Sequence, residues 1–238
     1  MKSASLLLLA LAASSLGAEP PPRTDVFPLS DGSLKITFLG HGTLMLDYNG
    51  WIIHVDPVSA EGDYAELPPA DLVLVTHEHG DHLDPAVVAR ISRPGTAIVA
   101  NPASAGKLSG AVALRPGESR TVGSVKIEAL PAYNTSPGRD RFHPKGRDNG
   151  YLLTIAGKRI YIAGDTGDTP EMKALKNIDI AFLPMNQPYT MTPEQVAKAA
   201  RAFKPRVLYP YHFGDTDTGR LAELLEGKSV EVRIRELQ

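Results

Sequence analysis

The stretch that decides the reading is Val73-Leu74-Val75-Thr76-His77-Glu78-His79-Gly80-Asp81-His82. Aliphatic and β-branched residues end a strand, and directly beyond them three imidazoles and a carboxylate fall within six positions, 77 to 82. Histidines two apart in an extended segment point to the same side, so His77 and His79 can grip one cation. The chain then turns at Gly80, letting Asp81 and His82 approach from another direction, where a second ion about 3.5–4 Å from the first would sit. Such polarity at a strand end is wasteful in a core, because buried imidazoles and carboxylates need partners.

Two distant residues suit the same site. Asp165, in Ile162-Ala163-Gly164-Asp165-Thr166, follows a hydrophobic strand and can bridge two ions through its carboxylate. His212, in Tyr209-Pro210-Tyr211-His212-Phe213-Gly214, also caps a strand. Open α/β sheets place their sites beyond the carboxyl ends of strands, where all these residues fall.

Outward from the motif, short β-rich runs alternate with helical stretches in two halves of similar style. The first holds Leu34 to Phe38, then Thr43 to Tyr48 and Trp51 to Val55 joined by the hairpin signal Asn49-Gly50. Asp71 to Thr76 follows, then a helix with Asp84-Pro85 as cap and first residue, and the strands Ala97 to Ala100 and Val125 to Leu130. The second half holds Tyr151 to Ile155, Arg159 to Ala163, a helix from Pro170, Ile178 to Leu183, and a helix opened by the capping box Thr192-Pro193-Glu194-Gln195. Val207 to Tyr211, a helix over Leu221 to Leu225 and Val230 to Ile234 complete it. Pro131 to Gly150 is irregular and polar, read either as a solvated loop or as a lid facing substrate.

The 238 residues, formal charge −2 and absence of cysteine suit one α/β domain without disulfides, and no basic excess suggests a nucleic-acid partner. Lys2, the apolar run Leu6 to Ala13 and the small residues around Gly17 and Ala18 read as a signal peptide over 1–18, sending the protein to the periplasm or outside the cell. With no lipid-anchor cysteine, no stable membrane anchor is expected after cleavage. Residues 19–33, with three consecutive prolines after Glu19, read as an extended leader to a domain over 34–238.

The order His77-x-His79-x-Asp81-His82, then Gly164-Asp165-Thr166, then Tyr211-His212-Phe213-Gly214 resembles the metallo-β-lactamase superfamily. Leu39-Gly40-His41-Gly42-Thr43, Val55-Asp56-Pro57 and Pro188-Tyr189-Thr190-Met191-Thr192 are similar to its branch of small hydrolases that includes L-ascorbate 6-phosphate lactonase-like proteins. The resemblance implies an α/β fold, a four-layer αβ/βα sandwich with the metal site between the halves. It also implies one ion on His77 and His79, another on Asp81, His82 and His212, and Asp165 between them, with Asp81 and His82 also counted as catalytic.

One departure stands out. The superfamily supplies a third histidine to the first ion from the loop after the strand Val125 to Leu130, where this chain has Pro131-Ala132-Tyr133-Asn134. Tyr133 is a poor ligand while protonated, His143 could fold back as the missing ligand, and His41 is a further candidate, favoured as a substrate contact or ligand support. Asp56 is expected to accept a hydrogen bond from a ligand histidine, and His54 to face away from the site.

The expected cofactor is one or two divalent ions, zinc before manganese or iron. The expected chemistry is hydrolysis by a metal-bound hydroxide on a small-molecule ester, lactone or phosphoester. Asn134, Arg139, Arg141 and Lys145, with Arg147, suggest an anionic substrate. β-Lactamase activity and a non-catalytic metal- or ligand-binding role are the alternatives. Oligomeric state is not legible.

Overall fold

The computed structural model describes residues 24–237; the expected signal peptide and the prolines of the leader lie outside the described residues. One sheet comprises β1 (Thr24–Leu29), β2 (Gly32–Gly40), β3 (Thr43–Tyr48), β4 (Trp51–Val55), β5 (Leu72–Val75), β6 (Ala97–Ala100) and β7 (Val112–Ala113), side by side in chain order. The other runs from β8 (Ser119–Val122) through β9 (Val125–Ala132), β10 (Asp148–Ile155), β11 (Lys158–Ile162), β12 (Ile180–Pro184) and β13 (Val207–Tyr211) to β14 (Glu231–Val232). In each sheet the first four strands are antiparallel and the last three join in parallel, so the two halves repeat one topology.

The sheets pack face to face, and β5 shows how its sequence decides this. Leu72 and Leu74 enter the core between the sheets with Ile36, Phe38, Ile53 and Tyr151. Val73 and Val75 point the other way, into a second cluster with Val87, Val88 and Ile91 of α1 (Pro85–Ile91). Buried on both faces, a parallel strand reads as an unbroken apolar run. Phe38 joins the sheets at the aromatic level, with its ring centroid 4.9 Å from Tyr209 and 6.2 Å from Phe182.

The remaining helices are α2 (Pro102–Ala105), α3 (Pro170–Lys173), α4 (Pro193–Phe203) and α5 (Thr218–Leu225). Both predicted caps form: Asp84 accepts from the Ala86 and Val87 amides, and Thr192 and Gln195 exchange the reciprocal bonds of a capping box. With helices outside both sheets, the architecture is the four-layer αβ/βα sandwich.

Two boundaries differ from the sequence reading. Part of the stretch read as leader is β1, so the sheet begins at Thr24 rather than Leu34; Phe27 faces Leu34 and Val26 faces Lys35 across the β1–β2 pair. Val125 to Leu130 belongs with the second half, since β9 pairs with β8 and β10. Periodicity identifies a strand but carries no record of its neighbour.

β1 is tied down by charge. Asp25 accepts from Arg235 Nη2 at 2.7 and 2.8 Å and from the Tyr209 hydroxyl, with Arg233 Nη1 at 3.4 Å. Burial would raise the Asp25 carboxyl, but the Tyr209 hydrogen bond and Arg235 outweigh it and hold it below its usual range. A carboxyl depressed in the folded state stabilises above its unfolded pKa of about 3.9, and that stabilisation is lost as pH falls through the lower folded value. Asp25→Ala is expected to cost about 2–3 kcal/mol at pH 7, read as a lower urea midpoint, because it strands the Arg235 guanidinium. The loss should shrink towards pH 2; a deficit independent of pH would contradict the ionic origin.

Candidate metal centre

Each residue of the motif stands where a parallel strand ends. Asp56 follows β4, Thr76 and His77 follow β5, Asp165 lies shortly after β11, and His212 follows β13. Asp56 is fully buried and accepts from the Thr76 amide at 2.7 Å, the Thr76 hydroxyl at 2.6 Å and His82 Nδ1 at 2.8 Å. That last bond leaves His82 Nε2 aimed at the cluster, with a fixed tautomer. A Cβ on Gly42 would lie 2.8 Å from His82 Cε1, so this ring requires glycine beside it.

Asp165 lies at the centre. Its Oδ2 is 3.2 Å from His212 Nε2, 3.4 Å from His143 Nε2 and 3.9 Å from His77 Nε2, and its Oδ1 is 3.5 Å from His82 Nε2. Asp81 Oδ2 lies 3.2 Å from His41 Nε2, 3.4 Å from His212 Nε2 and 3.8 Å from His82 Nε2. The ligand atoms fall into groups within 4.8 Å of one another: His77, His79 and His143; His41, Asp81, His82 and His212; and His77, His82 and Asp165 between them. Donors sharing a cation at about 2.0–2.2 Å in tetrahedral array lie about 3.4 Å apart, and the carboxylate–imidazole distances here run from 3.2 to 3.9 Å.

The burial of these groups is uncompensated by protein. His77 Nε2, His82 Nε2, Asp165 Oδ1 and both ring nitrogens of His212 are buried without a hydrogen-bond partner. Such orphans cost about 1–3 kcal/mol each, and divalent ions among them would satisfy all but His212 Nδ1, which faces away from the carboxylates, so the donor set fits a metal.

The electrostatics agree. Burial, reinforced by the neighbouring His82 ring, holds His77 well below the ordinary imidazole range, leaving it neutral with a lone pair to offer. His79 is lowered by burial and by His143. Burial would raise the Asp165 carboxyl, but His212 and His82 outweigh it and keep it ionised. Burial would lower His212, but Asp165 and Asp81 push it up to about 10. A cation entering this side takes the place of ring protons.

His143 comes from the irregular segment. Its Nδ1 lies 3.0 Å from Asp148 Oδ2, and Asp148, the first residue of β10, is clasped by Arg147 at 2.7 and 2.9 Å. This pair orients His143 as Asp56 orients His82. Tyr133 does not approach the cluster: its hydroxyl donates to Glu171 at 2.9 Å and Lys145 lies over its ring. His54 binds the Pro68 carbonyl through Nε2 at 3.0 Å, apart from the groups above. His41 joins the second group, and the His212 amide donates to its carbonyl at 2.9 Å, linking the halves. His41, Asp56 and His212 all adopt positive φ of 45–47°, strain that the surrounding fold must hold in place.

The cavity over the cluster is about 240 Å3, and beyond the cluster its walls are Phe142, Asn186 and Tyr189. None of the residues expected to bind substrate lines it. Asn134 donates to the carbonyls of Arg139 and Tyr189, Arg139 donates to Pro188, Arg141 lies over Phe142, and Lys145 pairs with Glu171. These groups brace the loop, because its unpaired carbonyls and rings lie nearer to them than the cavity does. Phe142, Asn186 and Tyr189 were missed, since nothing periodic marks a cavity wall.

A four-layer sandwich carrying buried histidines and aspartates at its strand ends defines the class of metal-dependent hydrolases with the metallo-β-lactamase fold. The chain belongs to the beta-lactamase superfamily, whose domain description matches residues 35–212. It is 35% identical over 195 residues to a metal-dependent hydrolase of Thermococcus kodakarensis, covering 76% of this chain and 84% of the relative. Among solved structures, a Parabacteroides distasonis protein described as a metal-dependent hydrolase is 55% identical, with TM-score 0.89, covering 91% of this chain and all of that one. A metallo hydrolase from Ignicoccus hospitalis is 25% identical with TM-score 0.71, covering 86% and 95%. The chain is accordingly a metal-dependent hydrolase.

Proposed function

We propose that the chain hydrolyses a small ester, lactone or phosphoester with two divalent ions, zinc in the first place. His77, His79 and His143 hold one, and Asp81, His82 and His212 hold the other with His41 beside them, while Asp165 serves both. When bound, such ions supply Lewis acidity towards the substrate oxygen and bring the pKa of water towards neutrality. The observation that carries this reading is that His77 Nε2, His82 Nε2, His212 Nε2 and Asp165 Oδ1, all buried without a hydrogen-bond partner, belong to adjoining groups of ligand atoms.

The chain's own residues divide the remaining work. Asp81, with a side chain 50% exposed at the cavity, is placed to orient the attacking water; burial would raise its carboxyl, but His212 and His41 outweigh it and hold it well below the usual carboxylate range, so it stays ionised and is a poor proton acceptor. His82, with no exposed surface and its Nδ1 tied to Asp56, acts as a fixed support for that site rather than as a proton carrier to substrate. The cationic loop gives no support to an anionic preference, since Arg139, Arg141 and Lys145 are engaged elsewhere. Action in the periplasm or outside the cell belongs to the same proposal and rests on the apolar run Leu6 to Ala13.

Elemental analysis and turnover of aryl ester, lactone, phosphodiester and β-lactam probes test the reading. Chelation should abolish turnover and added zinc should restore it. Full turnover after complete metal removal would overturn the proposal, and a β-lactam as the single good substrate would replace the substrate class.

A further inference from the structure

The hollow over the histidine cluster narrows what can enter it, on the hydrolytic reading above. Apart from the cluster its walls are two aromatic rings and one amide. Phe142 and Tyr189 meet edge to face, with centroids 5.0 Å apart and planes at 74°. Tyr189 is 45% exposed, a large ring left at a cavity mouth rather than packed into the core. The two loops presenting these rings are strapped together: the Asn134 side chain donates to the carbonyls of Arg139 and Tyr189, both at 2.9 Å, and Arg139 donates to the Pro188 carbonyl at 2.7 Å. The Asn186 backbone is fixed by Thr190, whose hydroxyl accepts from the Asn186 amide at 2.6 Å, while the Asn186 side chain has no hydrogen-bond partner among the described residues.

We propose that this mouth selects a neutral ester or lactone bearing a flat, apolar group, with that group against the Phe142–Tyr189 wedge and the Asn186 amide on the polar atoms beside the scissile bond. Among the described residues the nearest guanidiniums are already engaged, Arg141 over the Phe142 ring and Arg147 on Asp148 with its Nη2 3.4 Å from His79 Nε2, and neither lines the cavity, so a charge carried away from the scissile bond meets no free cation there. A flat ring gains contact with the exposed Tyr189 ring at the wedge and loses little conformational freedom on entry. The small volume limits the substrate to a compact molecule. Hydrolysis breaks the acyl C–O bond and forms a new one from the carbonyl carbon to the water oxygen; one water proton leaves on the released alcohol and the other stays with the acid.

Metal-loaded full-length protein is assayed with phenyl acetate and ethyl acetate, and the ratio of their kcat/KM values is compared between wild type and variants, which cancels intrinsic reactivity. Tyr189→Ala should lower the ratio about tenfold, and Tyr189→Phe, which keeps the ring, should preserve it. Independently of turnover, saturation-transfer NMR should show acetanilide binding about tenfold tighter than N-ethylacetamide or 4-acetamidobenzenesulfonate, with that advantage lost in Tyr189→Ala. An unchanged ratio in Tyr189→Ala, or sulfonate binding as tight as acetanilide, would overturn the inference. Ring-dependent acetanilide binding without turnover of any ester would instead remove the hydrolytic reading and leave the aromatic mouth standing.

Discussion

Asp165→Ala is expected to lose both metal and hydrolysis, with turnover falling by about three orders of magnitude, or about 4 kcal/mol of transition-state stabilisation. The size follows from position. The carboxylate lies within 3.2–3.9 Å of four imidazoles drawn from both halves of the sandwich, so its removal takes a ligand from both subsites at once. It also removes the negative charge that offsets crowding of His77, His82 and His212 around a cation. Asp165→Asn, which keeps the volume and loses the charge, should behave nearly as badly, whereas a purely packing role would spare it. Elemental analysis and turnover, with circular dichroism to establish that the fold persists, decide the matter. Full metal content in a folded Asp165→Ala protein would refute the central role of this carboxylate.

His143→Ala comes next, with bound metal expected to fall by about half and turnover by about 10–100-fold, because the first subsite then keeps only His77, His79 and the shared Asp165. Asp148→Asn should weaken metal binding about 10–100-fold without eliminating it, since the His143 ring remains but loses the carboxylate 3.0 Å from its Nδ1. Tyr133→Phe is the control. Its hydroxyl is directed to Glu171, so metal stoichiometry should not change. Competition with a chromophoric chelator measures all three, and loss of metal in Tyr133→Phe together with full retention in His143→Ala would reverse the assignment.

Sequence reading stops at the choice among Tyr133, His143 and His41 for the missing third ligand. His77, His79, Asp81 and His82 were legible because they sit within one turn of chain immediately after a buried strand, so geometry follows from local periodicity. Asp165 and His212 were legible more weakly, by recurring at the same kind of strand end. The caps at Asp84 and Thr192 were readable for the same local reason.

Other features had no local signature. Tyr133 directly follows β9 whereas His143 lies ten residues further along the loop, and the choice between them depends on how that loop folds back and on Asp148 waiting at the start of β10. The cationic loop read as a substrate contact because charge is visible in a sequence, while the carbonyls and rings that consume it are not. β1 escaped notice because an exposed edge strand shows alternate intermediate burial rather than an apolar run.

The order of residues by itself determined the class of fold, the core of the cation-binding motif and the helix caps, all of which arise from interactions among near neighbours in the chain. Tertiary structure alone decided which sheet received β9, which ring completed the first subsite, and which side chains walled the cavity. Those choices depend on contacts between segments dozens of residues apart, whose energies are set by packing and hydrogen bonding after the two sheets meet.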